Sequence, residues 1–590
     1  MGKFQIRIAG FGGQGVVTAG KVLGLAAALY EGKNTVNTQS YGPESRGGAC
    51  RSEVVISDEE ILYPRVRFSD VLVTLSRTAF ETYAPDMAPG SLLLLDPNSI
   101  QGDFSHLPVR IVQIPTAQIA HTLGRPQVQN MVTLGALQRL TQIASVGALE
   151  QAIRDTTPEN TWELNIRAFR EGIRYASALD ASGAALESEQ TDREDAAKGS
   201  RESIALTDDG VLMPGEYFIQ GSEAVMEGAL MAGCRCYAGY PITPASEIME
   251  AAARRIPQVG GYFIQMEDEL ASACSLIGAS WSGAKAMTAT SSPGFSLMQE
   301  AISFAIMTET PFVIVDVQRP GPGQGYITSS QEDVMQARWG HHGEGSLIAL
   351  APASVQEMFD LTVEAFNYAE KWRVPVIMLA DEAVAHMRER IVVPPRDKIW
   401  LLSRARPQEA DIPPVDYLPL GGREVPLMAG FGDGYEINVV SLVHMPDGRV
   451  SAYNSELHLD VVRRKARKIE DNADRIARIE TRFLEGARRV VICYGAPSRS
   501  SMEAVKEARE HGNRDVGYIR LVTLWPFPED TLRDLIQAGV KSIIMPEMNL
   551  GMMIHPVREA LRDRVETFIP VPSLGTIHAP ELILEAIDSA

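Results

Sequence analysis

Cysteine is scarce in this chain: five among 590 residues. Cys50, Cys234, Cys236, Cys274 and Cys493 form no C-x-x-C pair and no four-cysteine cluster. That argues against an iron–sulfur cluster held by this chain alone and against a disulfide framework. Long hydrophobic runs are missing too, so no segment is expected to span a bilayer. The stretch from Met1 to Gly10 offers no signal-peptide apolar core before its glycines begin, and a cytoplasmic location is the expectation. Positive charge is also in deficit. Lys and Arg number 55 against 75 Asp and Glu, a formal charge of −20, which argues against nucleic acid or an anionic membrane as a partner.

What is present is ordinary for a soluble globular protein: 45% hydrophobic and 22% charged residues. The length calls for three or four domains rather than one core. Strand and helix patterns alternate from residue 1 to about 178, giving one doubly wound α/β domain. Residues 179–213 carry almost no large apolar side chains and read as a linker. A second α/β domain is expected over 214–400. Residues 401–485 form an irregular insert ending in a mixed-charge helix read as exposed, and 486–590 form a last α/β domain.

Three stretches carry candidate chemistry. Phe4 to Ala9 reads as a strand running into Gly10-Phe-Gly-Gly-Gln-Gly15, which satisfies G-x-G-x-x-G between strand and helix. The pattern fits a dinucleotide site, or a tight turn with no ligand. Tyr262 to Ile264 is a short strand leading into Glu267, Asp268 and Glu269, and a strand from Ala286 to Ala289 ends in Ser291-Ser-Pro-Gly294. Carboxylates past a strand's C-terminal end lie where open α/β sheets bind ligands. Acids there also favour a helix start through its dipole. The third is the continuous apolar run Pro311 to Gln318, a buried parallel-type strand that delivers Arg319 at its end. Upstream, two prolines fix the turn Gly239-Tyr-Pro-Ile-Thr-Pro244. Thr243 is presented there, either to a ligand or as the cap of the next helix.

Together G-F-G-G-Q-G-V, Q-S-Y-G-P-E-S-R-G-G from Gln39 to Gly48, and Y-P-I-T-P resemble the 2-oxoacid:ferredoxin oxidoreductases, in the order γ then α. The resemblance covers nearly all the chain outside the linker. It implies an N-terminal Rossmann-like γ domain, a thiamine diphosphate pyrimidine-binding domain and a C-terminal transketolase-like domain. Glu269 then contacts the aminopyrimidine, with Glu267 as the competing acid. Arg319 and Thr243 hold the oxoacid carboxylate, and His341 (or His342) lines the pocket. Gly12, Gly13, Gln14, Arg46 and Gly47 belong to the γ side that encloses coenzyme A, although Arg46 could instead pair with Glu44 or Glu53. Gly432-Asp433-Gly434 lacks the downstream context of a diphosphate–Mg²⁺ motif. That site and a [4Fe–4S] cluster are therefore expected on a separate β subunit, in an (αβ)₂ heterotetramer that reduces ferredoxin. Met428 to Tyr435 resembles the 2-oxoglutarate type. Pyruvate or branched-chain oxoacids remain alternatives, as does a nucleotide-binding regulatory or scaffolding protein.

Overall fold

The computed structural model describes residues 2–40, 49–181, 205–408, 424–435, 437–445 and 449–590. It separates into two compact units: residues 1–205, 213–219 and 387–393, and residues 206–212, 220–386 and 394–590. No helix among the described residues is long and apolar enough to cross a membrane.

The first unit is built on one eight-stranded sheet. Its strands are β1 (Phe4–Gly10), β2 (Asn34–Gln39), β3 (Cys50–Ser57), β4 (Ser69–Thr74), β5 (Met87–Leu95), β6 (Arg110–Gln113), β7 (Gly215–Gln220) and β14 (Arg388–Val393), in the order β6-β5-β4-β1-β3-β2-β14-β7. From β1 through β4 and β5 to β6 the pairing is parallel, whereas β3 pairs antiparallel with both β1 and β2. The sheet is therefore mixed. Ile6, Ile8, Val22, Leu23, Val54 and Val73 sit at its core. Two of its strands, β7 and β14, come from residues far along the chain.

The second unit holds a seven-stranded sheet of β8 (Cys234–Gly239), β9 (Tyr262–Gln265), β10 (Lys285–Thr290), β11 (Phe312–Gln318), β12 (Ile348–Leu350), β13 (Pro375–Asp381) and β20 (Thr523–Trp525). Their order is β20-β12-β13-β11-β10-β8-β9, with only the β12–β20 pair antiparallel. After β8 the chain steps out to β9 and then returns to the other side of β8 as β10. That reversal is the topological switch point at which open parallel sheets bind ligands, outside the C-terminal strand ends. All seven residues of β11 are buried, as its apolar run requires of a strand covered on both faces. A five-stranded C-terminal sheet, β17 (Ile479–Arg482), β18 (Arg489–Cys493), β19 (Val516–Leu521), β21 (Ser542–Glu547) and β22 (Thr567–Pro572), has the order β17-β19-β18-β21-β22. A short hairpin, β15 (Val443–His444) with β16 (Val450–Ser451), lies between these sheets in sequence.

One expectation fails for a clear physical reason. The mixed-charge helix, observed as Ser455–Glu470, is not simply exposed: Lys465 and Lys468 are buried. Both ammonium groups and Arg464 converge on the buried carboxylate of Glu309. Burial alone would raise that carboxyl's pKa, but the three cations hold it well below the ordinary range. A charge pattern along one helix does not reveal an opposite charge contributed from 150 residues away.

Candidate active site

Four strand ends meet at the switch point. Past β9, the helix Glu269–Trp281 begins with Asp268 as its N-cap, whose carboxylate accepts from the Ala271 N–H at 2.7 Å. The three neighbouring acids therefore divide their roles. Asp268 caps, Glu267 is exposed, and Glu269 is 5% exposed. Burial raises the Glu269 carboxyl pKa and Asp268 adds to the shift, while its own N–H and Arg319 oppose it. No hydrogen bond joins its carboxylate to another described residue. Past β10, Gly294 packs against that carboxylate: a Cβ there would lie 2.5 Å from Glu269 Oε1 and 2.3 Å from Thr290 Oγ1. Only glycine leaves this space.

Past β11, Arg319 is 5% exposed. Its Nη1 donates to the Thr243 carbonyl at 2.6 Å and its Nη2 to Gln324 Oε1 at 2.8 Å, while Nε is buried without a partner. The Arg319 N–H donates to Ser292 Oγ at 3.1 Å, and Ser292 in turn hydrogen-bonds to Asp333. Burial lowers the guanidinium pKa, and the negative charges of Glu269 and Asp333 oppose that shift. Thr243, past β8, meets Arg319 through its backbone oxygen. The helix that follows, Ser246–Arg255, starts at Ala245 without a side-chain cap, so Thr243 is not its capping residue.

Behind Thr243 lies a network that sequence reasoning missed. His386 is buried, with Nδ1 2.9 Å from Glu382 Oε1, and Nε2 3.4 Å from Glu247 Oε2 and 3.2 Å from the Pro244 carbonyl. Burial disfavours its charged form, but the two carboxylates outweigh this and raise the imidazole pKa to about 10. A charged imidazole thus anchors the turn that carries Thr243. The four-residue spacing of Glu382 and His386 was the available signal.

The other described sequence candidates form no hydrogen bond to Glu269, Thr243 or Arg319. His341 is buried, with Nδ1 3.3 Å from the His342 carbonyl and Nε2 unpartnered. Burial lowers its pKa, so it is neutral, and no hydrogen bond or ion pair ties it to Glu269, Thr243 or Arg319. In the first unit, Gly12 and Gly13 are exposed and Gln14 is half-buried in the turn after β1. Gln14 Oε1 accepts from the Phe11 N–H at 2.6 Å, and its Nε2 donates to the Leu75 carbonyl at 3.2 Å. Glu31, past the helix that follows this turn, accepts from the Ser145 N–H at 2.8 Å. Arg46 and Gly47 lie outside the described residues. Asp433 closes a turn by accepting from the Gly430 N–H at 2.8 Å and pairs with Arg406. Among the described residues, no group of three or more His, Cys, Asp or Glu side chains is placed to hold a metal ion.

Residues 227–462 match the family described as pyruvate flavodoxin/ferredoxin oxidoreductase, thiamine diphosphate-binding. Residues 5–175 match the pyruvate ferredoxin/flavodoxin oxidoreductase family, and 487–577 match pyruvate:ferredoxin oxidoreductase core domain II. The 2-oxoglutarate synthase subunit KorA of Methanocaldococcus jannaschii is 49% identical over 374 residues, 63% of this chain and 98% of that protein. The chain belongs to the 2-oxoacid:ferredoxin oxidoreductases. Its thiamine diphosphate-binding region contains the whole Glu269–Arg319–Thr243 cluster. The 2-oxoglutarate synthase subunit KorC of the same organism is 48% identical over 177 residues, 30% of this chain and 95% of that protein. A solved structure, the 2-oxoglutarate:ferredoxin oxidoreductase from Magnetococcus marinus with 2-oxoglutarate, coenzyme A and succinyl-CoA bound, matches 100% of this chain and 99% of its own at TM-score 0.85 and 28% identity.

Two features of this oxidoreductase fit thiamine diphosphate. The Glu269 carboxylate is buried with no other residue to satisfy it, and the missing Cβ of Gly294 keeps open the space beside it. Buried polar groups are normally paired, so a carboxylate at the strand ends that no other described residue answers, beside an unpartnered Arg319 Nε, marks a place for a ligand.

Proposed function

We propose that this chain is the α subunit of a CoA-acylating 2-oxoglutarate:ferredoxin oxidoreductase, with a γ-type domain fused ahead of it. The reaction converts 2-oxoglutarate, CoA and oxidised ferredoxin to succinyl-CoA, CO₂ and reduced ferredoxin. Residues 1–178 are the γ domain, 214–400 the pyrimidine-binding domain and 486–590 the transketolase-like domain. The observation that carries this reading is that Glu269, whose carboxylate is hydrogen-bonded to no other described residue, and Arg319, whose Nε is unpartnered, are both buried at the switch point. Likeness to both KorA and KorC supports the order γ then α and the preference for 2-oxoglutarate.

Bound thiamine diphosphate supplies the carbanion chemistry. Glu269 would hold a proton at the aminopyrimidine ring when the cofactor is bound. Arg319, held by Nη1 on the Thr243 carbonyl and Nη2 on Gln324 with Nε unpartnered, offers its positive charge to the oxoacid's C1 carboxylate. Thr243 adds a hydroxyl from the same turn, and burial of the cluster excludes water from the reacting carbons. Mg²⁺, the diphosphate site and a [4Fe–4S] cluster belong to a β subunit in an (αβ)₂ assembly. Coenzyme A is taken up with the help of the γ domain, through Gly12, Gly13, Gln14, Arg46 and Gly47, and His341 lines the oxoacid pocket.

The purified chain alone is expected to be colourless and inactive. Adding a β subunit with a four-cysteine cluster should restore CoA-dependent reduction of a viologen dye with 2-oxoglutarate. Iron and labile sulfide found stoichiometrically in this chain alone would overturn the assignment of the cluster to the partner.

A further inference from the structure

The apolar run of β11 contains one acid. Asp316 stands in the middle of a strand whose every residue is buried, and both of its carboxyl oxygens are inaccessible with no donor facing them. An ionised carboxylate with no donor in such a place is prohibitively costly, so the group neutralises instead. Once neutral, its O–H is itself a buried donor that needs an acceptor. The acceptor beside it is Asp333, at the start of the helix Val334–Trp339.

Asp333 is 5% exposed and already has other partners. Its N–H donates to Gln318 Oε1 at 3.2 Å, and its carboxylate accepts from Ser292. Ser292 Oγ accepts from the Arg319 N–H at 3.1 Å. A chain of hydrogen bonds thus runs from a carboxyl inside the sheet to the backbone of the arginine at its edge. The charged groups around the pair are Arg319 at the end of β11, Glu332 beside Asp333, and Glu269 across Arg319; Ser292 and Gln318 are its neutral neighbours.

We propose that Asp316 is a neutral carboxylic acid that donates its proton to the Asp333 carboxylate. Through Ser292, this one-proton pair fixes the backbone from which Arg319 reaches the oxoacid. Asp316 and Asp333 are positioning residues, and their tie to substrate rests on the reading of Arg319 given above. Burial raises both groups, Asp316 well above the carboxylate range and Asp333 to about 6. Two carboxyls sharing one proton titrate as a unit. The pair therefore carries one negative charge at neutral pH and loses it as the pH falls through about 6.

The test uses the chain assembled with its partner subunit. An infrared difference spectrum between wild type and Asp316→Asn at neutral pH should show the carbonyl stretch of a protonated carboxylic acid in the wild type only. Asp316→Asn keeps a donor for Asp333, so the KM for 2-oxoglutarate should stay within about twofold. Asp316→Leu leaves Asp333 without that donor and should raise KM by about tenfold, with kcat changed less. In wild type, KM should change as the pH falls through about 6, and in Asp316→Asn, whose amide donates less strongly to Asp333 than the carboxylic acid does, this inflection should move to higher pH. If Asp316→Leu does not fold, the infrared band and the shifted inflection still decide. Absence of the band overturns the neutral-acid assignment. A band with unmoved KM and inflection overturns the tie to substrate, and Arg319→Ala kinetics then report separately whether the arginine reading itself has failed.

Discussion

Two strand ends in this molecule place a glycine at or within the start of the next helix, and they treat their polar groups in opposite ways. In the turn after β1, Gln14 satisfies the Phe11 N–H and the Leu75 carbonyl. Gly15, at φ +73°, supplies the left-handed residue that starts the helix, and Asn130 donates to its carbonyl at 3.3 Å. The side chains of that turn hold the turn itself together. In the first turn of the helix after β10, Ser292–Leu297, Gly294 instead makes room for a buried carboxylate, and Ser292 links the Asp333 carboxylate to the backbone N–H of Arg319. Arg319 Nε and Ser291 Oγ are left buried and unmatched. Both turns satisfy a motif description, but only the second leaves side-chain charge unanswered. Unanswered buried polarity, rather than glycine spacing, distinguishes a side-chain reaction site from a turn that offers a ligand its backbone.

The sharpest way to break this comparison is to remove the unanswered charge. Glu269→Ala should lower proton exchange at the thiazolium C2 position in the assembled complex by about 10²–10⁴-fold, the usual range for positioned acid–base help. Thermal stability should hold or rise slightly, because a desolvated carboxyl is relieved. Glu267→Ala is the control: that residue is exposed, and its exchange rate should match wild type. The reverse pattern would transfer the role to Glu267 and remove the link between burial and function.

Next in size is Arg319. Losing a charge-assisted hydrogen bond to the oxoacid should lower kcat/KM for 2-oxoglutarate by about 10- to 150-fold in Arg319→Ala, with thiamine diphosphate content unchanged. Thr243→Val should cost less, roughly fivefold, because the contact Arg319 makes is to the Thr243 backbone carbonyl, which valine retains. Steady-state kinetics with 2-oxoglutarate varied, alongside cofactor analysis, separate these outcomes. Equal losses in the two variants would mean that the hydroxyl contributes as much as the guanidinium to carboxylate binding.

Much of this was legible in the sequence because it is local. The run Phe312–Gln318 could only be a buried parallel strand, so Arg319 had to emerge at its C-terminal end. Prolines on both sides of Thr243 confined the second turn. What was not legible depends on distant partners. Nothing near Glu267, Asp268 and Glu269 says which one caps, which is solvated and which is buried; the packing of Gly294 decides it. The return of Gly215–Gln220 and Arg388–Val393 to the first unit's sheet joins strands about 170 residues or more from their neighbours in the sheet. Lys465 and Lys468 looked solvated because their counter-charge, Glu309, lies in another element. Asp316 was visible as the one acid in an apolar run, but its meaning needed Asp333, which sequence places 17 positions away.

The smallest effect tests the other side of the comparison. Gln14 makes two neutral hydrogen bonds inside its turn, and bonds of that kind contribute about 0.5–1.5 kcal/mol each. Gln14→Ala should therefore lower the melting temperature of the first unit by only a few degrees, about 2–4 °C per kcal/mol for a unit of this size. Its kinetic signature is the more informative measurement. If the exposed backbone of Gly12 and Gly13 meets coenzyme A, loosening the turn should raise the KM for coenzyme A several-fold. The KM for 2-oxoglutarate should stay fixed, since Glu269, Arg319 and Thr243 are untouched. A fall in stability with both KM values unchanged would mean that the turn is a fold element without a ligand. The glycine motif would then have marked only a tight strand-to-helix connection, and the role of binding coenzyme A would pass to residues outside it.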